Sequence, residues 1–152
     1  MEAKHKDEID GIIDFRIQAI SPNDPHKYFD FSSSDKTISG AIVLTSTKPS
    51  SDLTSLDLRV KVEEKVEWED LTSSSSSSKI KSKKVHYDTT YTLQKFEGNK
   101  LDIGTCIYPF AIPMPEVPDG SFQIISGSHK ASVCYKLKAI IKTGTNSVHT
   151  RY

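Results

Sequence analysis

Histidines, cysteines and serines are the side chains of this 152-residue chain with the widest chemical reach, and their spacing decides what they can do. Imidazoles ligate metal or move protons where several converge, and a thiolate attacks or binds metal where neighbouring charge lowers its pKa. His5, His26, His86, His129 and His149 are instead scattered through turns and strand ends, with no H-E-x-x-H pair and no Cys-x-x-Cys. Each is expected to be a surface histidine. Cys106 and Cys134 both sit in apolar, strand-like runs, which predicts two small buried hydrophobes rather than a disulfide. No G-x-S-x-G elbow, P-loop or dinucleotide fingerprint occurs, and nothing sets a base beside any serine. The expectation is a protein with no catalytic residue, no metal and no cofactor.

The chemistry that remains is charge. Glu63, Glu64, Glu67, Glu69 and Asp70 are followed by a serine run and then by Lys79, Lys81, Lys83 and Lys84. A phosphate on one of those serines would add nearly two negative charges and acceptor oxygens for the lysines to bind. The plainer reading is a solvated hairpin tip whose charges keep a long edge from aggregating. Residues 72–84 are expected to be an exposed loop rich in serine and lysine, because serines bury nothing. The four lysines are the candidate patch for an acidic partner or an anionic lipid surface, where each contributes about 1 kcal/mol.

Over the whole chain Lys plus Arg and Asp plus Glu are equal at 20 each, so no global field points to nucleic acid or a membrane. The charged start, MEAKHKDEID, has no apolar h-region, and no apolar run approaches the roughly 20 residues that span a bilayer. A soluble cytoplasmic protein follows as the expectation. Residues 1–152 are read as one domain, long enough to bury roughly 70% of the unfolded surface.

The elements that must carry these residues are strands. Ile13, Phe15, Ile17 and Ala19 alternate with Asp14, Arg16 and Gln18, until Ser21-Pro22-Asn23-Asp24-Pro25 forbids further pairing. Tyr28, Phe29 and Phe31 form an aromatic cluster suited to plugging one end of a sandwich, and Ile38, Ala41, Val43 and Thr45 mark the next strand. Leu56, Leu58, Val60, Val62, Val66 and Trp68 share one parity; Asp57, Arg59, Lys61, Glu63, Lys65, Glu67 and Glu69 share the other. That pattern is a long strand with one face on a core and one in water. Val85, Tyr87, Thr89, Tyr91 and Leu93 return beside it, and Val133, Tyr135, Leu137, Ala139 and Ile141 line a later strand. Between them Pro113, Pro115 and Pro118 lock φ and remove three donors, so no helix or central strand crosses that segment. About eight strands and no helical period make an all-β, antiparallel sandwich.

The order and spacing of Gly104, Tyr108, Pro109, Phe110, Ile112, Pro113, Pro118, Ser121, Phe122, Gly127, Tyr135, Leu137, Lys138, Ala139 and Ile141 resemble the end of the N-terminal domain of arrestin-fold proteins, alpha-arrestins above all. Ile38, Gly40, Ile42 and Leu44, and the strand ending in Trp68-Glu69-Asp70, are similar to two further segments of that family. The extra Gly120 before Ser121, and serines in place of a Pro-Gly turn after Phe31, depart from its pattern.

The resemblance implies an immunoglobulin-like sandwich of the arrestin N-domain type. Gly104, Pro109, Phe110, Pro113, Pro118, Phe122, Tyr135, Lys138 and Ala139 would be its structural residues. It further implies a non-enzymatic trafficking or signalling adaptor that binds cytoplasmic tails or loops of membrane proteins and links them to sorting or endocytosis. Membrane contact at the plasma membrane or endosomes would be peripheral, and no nucleic acid is expected. Coat or ubiquitin-ligase machinery would be reached through regions outside this chain, since the P-P-x-Y motif is absent from it. The alternatives are a structural subunit of an endosomal sorting coat, of the type of the arrestin-like subunit of retromer, and a stand-alone interaction module. Arrestins continue into a second sandwich, so the chain is either a single-domain relative or the first of two.

Overall fold

A computed structural model describes residues 11–19, 37–49, 52–70, 78–96, 101–116, 122–144 and 147–151. The regular elements are β1 (Ile12–Ala19), β2 (Thr37–Ser46), β3 (Leu53–Asp70), β4 (Ser78–Lys95), β5 (Gly104–Pro113), β6 (Phe122–Ser126), β7 (His129–Thr143) and β8 (Ser147–Arg151). They form two sheets, one ordered β1-β2-β5 and the other β4-β3-β7-β6, with β8 also paired to β7. The pairings of β2 with β1 and β5, and of β7 with β6 and β8, are antiparallel. This is the all-β antiparallel architecture that the alternating patterns predict.

Local chemistry explains where the strands sit. Pro109 and Pro113 lie in β5 opposite Ala41 and Thr37, in a strand that ends its sheet, where a residue without an N–H is tolerated. β2 lies between β1 and β5, and Ala41, Ile42, Val43 and Leu44 of both parities are buried. Gly127 has φ +59° in the two-residue turn that joins Ser126 to His129, the conformation a tight hairpin with right-handed strand twist demands. Gly104 opens β5 at φ +121°, which side-chain-bearing residues rarely adopt.

The chain divides into two compact units. The first comprises Met1–Arg59, Thr90–Met114 and Leu137–Tyr152, and it holds most of the buried core. Ile17, Ile38, Ile42 and Leu44 come from one sheet and Leu56, Leu58, Leu137 and Ile141 from the other, all buried. Burying one such side chain stabilises the fold by about 1.5–3 kcal/mol. Phe96 and Tyr108 add an edge-to-face ring pair at 6.2 Å in the same unit. The second unit, Val60–Thr89 and Pro115–Lys136, includes parts of β3, β4 and β7 and the whole of β6, with Val60, Val62 and Val133 buried.

The structure departs from the sequence expectations at named places. Ile13, expected on the buried face of β1, is 68% exposed, because a register shift between Ile12 and Asp14 turns it outward while Ile17 and Ala19 stay buried. Cys134 is exposed and Cys106 half-buried, both free thiols rather than core residues. Cys134 falls on the parity of β7 that carries Lys136 and Lys138, opposite to that of Val133, Leu137 and Ala139. Ser78–Lys84, expected as loop, are the first residues of β4, and the preceding 72–77 lie outside the described residues. The Tyr28–Phe31 cluster, the Ser21–Pro25 turn, Pro118, Gly120, Ser121 and two of the histidines, His5 and His26, also lie outside them.

Candidate functional site

The polar parity of β3 is not simply wet. Its Asp57 and Glu63 are 1% and 2% exposed, as buried as the leucines of the opposite face. A carboxylate tolerates that only with charged partners, and the sheet order supplies them by placing β3 between β4 and β7. Lys61 of β3 reaches Glu63 Oε1 at 2.6 Å, Lys83 of β4 reaches the same oxygen at 2.9 Å, and Lys136 of β7 donates to Oε2. Three adjacent strands thus each contribute one ammonium to a single carboxylate. Lys136 above all, then Lys61 and Lys83, hold the Glu63 carboxyl well below the usual carboxylate range, outweighing the opposing effect of burial.

Four residues further along the same face, Glu67 of β3 takes Lys79 at 3.5 Å and Lys81 at 3.7 Å. Lys79, Lys81 and Lys83 therefore form a row on one face of β4, with side chains 59%, 71% and 53% exposed. Lys84 points to the other face, is exposed, and has no ion pair among the described residues. On that opposite parity His86 Nε2 lies 2.7 Å from Glu64 Oε2, so His86 is half-buried and bonded rather than a bare surface histidine.

Asp57, in the first unit, has one partner of its own. Lys142 of β7 approaches Oδ2 at 2.7 Å, while Oδ1 is buried without a hydrogen bond among the described residues. In the second unit a groove of about 280 Å³ is lined by Val66, Trp68, Ile124, Ala131, Glu67 and Lys130 among others. Its lining is almost wholly apolar, which suits an aliphatic side chain better than a polar substrate. No group of three or more His, Cys, Asp and Glu side chains that would hold a metal exists among the described residues. Burial, and secondarily Cys106, push the Tyr108 phenol up to about 12, so it is not poised as a base near neutrality.

The residues carrying the family resemblance fall on the framework. Gly104, Pro109, Phe110 and Pro113 build β5, Phe122 opens β6, and Tyr135, Lys138 and Ala139 lie in β7. Phe110 and Ala139 are buried. What sequence reasoning missed is the Glu63 cluster: Lys61 and Lys136 were not among the candidates, and only strand register brings them to Lys83. The available signal was that Glu63, near the middle of the longest alternating strand, has a lysine two residues away on either side, Lys61 and Lys65.

The family profile described as arrestin (or S-antigen), N-terminal domain, matches residues 20–151. A search of curated proteins gave no match. Among solved structures, the sporulation control protein Spo0M from Bacillus subtilis is similar at 13% identity and a TM-score of 0.38, over 76% of this chain and 41% of that one. This chain therefore spans less than half the length of that protein. With nearly all of its length matched by the family profile, the chain belongs to the arrestin (or S-antigen) family, as an N-terminal domain.

Proposed function

We propose that this domain is a non-enzymatic adaptor that binds cytoplasmic segments of membrane proteins and links them to sorting or endocytosis. Membership of the arrestin family supports an interaction role, since a rigid sandwich presents edge strands and end loops to partners. The observation that carries the reading further is the exposed row Lys79, Lys81 and Lys83, held in place by Glu63 and Glu67, with Lys84 exposed on the opposite face of the same strand. Such a row selects acidic tails by complementarity of charge and steers their approach. The protein acts in the cytoplasm and meets membranes peripherally, through its cargo.

The test is affinity purification of the tagged chain from extracts containing solubilised membranes, beside a Lys79→Gln/Lys81→Gln/Lys84→Gln variant. Integral membrane proteins recovered substoichiometrically, and lost with the variant, are the expected result. Stoichiometric recovery of coat subunits, equal for both chains, would overturn the adaptor reading in favour of a structural coat subunit.

A further inference from the structure

The tip of the β6–β7 hairpin carries apolar surface that packing leaves uncovered. Of the large hydrophobic side chains exposed among the described residues, only Ile124 and Ile125 are consecutive, and each is 60% exposed. Neighbours on a strand point to opposite faces, so the tip is apolar on both. β6 also ends its sheet, beside β7, and Gln123 to Gly127 are all exposed. Register sets Ile124 opposite Ala131, Ile125 opposite Lys130 and Ser126 opposite His129. Ile124 and Ala131 line the 280 Å³ groove with Val66 and Trp68, the single tryptophan of the chain, which is half-buried.

The charge around this tip has one sign. From Gly120 to Tyr152 the sequence holds no Asp or Glu, while Lys130, Lys136, Lys138, Lys142 and Arg151 are cationic. Glu67, the one acid that lines the groove, is held by Lys79 and Lys81. An anionic surface therefore meets little repulsion here.

We propose that the β6–β7 tip inserts shallowly into the headgroup boundary of an anionic bilayer, with Ile124 and Ile125 as apolar anchors and Lys130 on the lipid phosphates. A protein groove covers one face of a strand, whereas a fluid acyl boundary receives both, as adjacent isoleucines require. Trp68, in the groove beside Ile124, has an indole suited to the same boundary, apolar in body with one N–H for water or a headgroup. Apolar anchors and lysines each bind weakly alone, and together they give reversible contact that depends on anionic lipid. The inference goes beyond the adaptor reading, because this contact is made by the chain itself and needs no cargo.

The test mixes the full chain with vesicles of phosphatidylcholine, with and without phosphatidylserine, and with a second set whose acyl chains are brominated. Because the chain has one tryptophan, its emission reports on the hairpin without a label. Co-sedimentation with the phosphatidylserine vesicles, a blue shift of Trp68 emission and its quenching by the brominated chains are the expected results. Ile124→Ser/Ile125→Ser, with an unchanged melting temperature, weakens binding at least about tenfold and removes the quenching. Ile125→Leu binds as the unaltered chain does, which separates lost anchoring from lost folding. Lys130→Gln weakens binding about fivefold and keeps the quenching at saturation.

Equal vesicle binding by the unaltered chain and the serine variant, without quenching, overturns the inference in favour of adsorption by lysines alone. Equal quenching with and without phosphatidylserine overturns the choice of an anionic surface. No vesicle binding by a chain that sediments as a dimer, and as a monomer in the serine variant, overturns it in favour of a second copy on the tip. No vesicle binding, with capture of membrane proteins from extracts lost in the serine variant, overturns it in favour of a protein at the same place.

Discussion

Glu63→Gln keeps the shape of the side chain and removes the charge that gathers Lys61, Lys83 and Lys136. The carboxylate is 2% exposed, but the three lysine side chains are 25%, 53% and 45% exposed, so water recovers much of what each ammonium loses. Each contact is therefore discounted to about 0.5–1 kcal/mol. Adding the repulsion among three cations that no longer share a counter-charge, the expected loss is about 2 kcal/mol. In a chain of this length that lowers the thermal midpoint by roughly 4–8 °C. The pH dependence has a definite sign. Because the lysines hold the folded-state pKa of Glu63 below its unfolded value, its contribution is complete above the unfolded value and is lost as pH falls through the folded one. Urea denaturation of both chains should show a constant difference from neutrality down to about pH 5, shrinking in stronger acid. A difference under about 0.5 kcal/mol at neutral pH, or one that grows on acidification, would refute the reasoning.

Other substitutions probe separate parts of the fold. Lys142→Met strands the buried Asp57 and should cost about 2–3 kcal/mol by urea denaturation, whereas the double change Lys142→Met/Asp57→Leu should cost less than the single one. Leu58→Ala, at a fully buried position, should lose about 3 kcal/mol and leave binding of acidic peptides unchanged in calorimetry. Gly127→Ala meets no atom within 4 Å, so its cost of about 1 kcal/mol comes from φ alone and should match that of Gly127→Ser in thermal melts. Under native conditions a maleimide should label Cys134 faster than Cys106, as read by mass spectrometry of the peptides.

The fold was legible because binary patterning in strands has a fixed period, and the apolar parity of Leu56, Leu58, Val60 and Val62 is the buried parity of β3. The prolines from Pro113 on told that no central strand would cross that segment, and β5, which ends at Pro113, lies at the end of its sheet. What the pattern hides is register. A one-residue shift in β1 reverses Ile13, and no alternation count shows such a shift. The same limit hid the site. The parity of Glu63 reads as solvent-facing until β4 and β7 are laid on either side of it, because lysines 20 and 73 residues away in sequence are what bury it. The lysine row was visible as composition, yet its setting was misjudged: serines suggested a loop, while pairing of Lys79, Lys81 and Lys83 with acids of β3 extends the strand to Ser78.

The proposal that the Lys79, Lys81 and Lys83 row meets acidic segments is tested most directly by amide hydrogen exchange with and without a soluble acidic peptide. Slowed exchange between Ser78 and Val85, lost in a Lys79→Gln/Lys81→Gln variant, is the predicted result. Binding with no slowed exchange in that segment would contradict it.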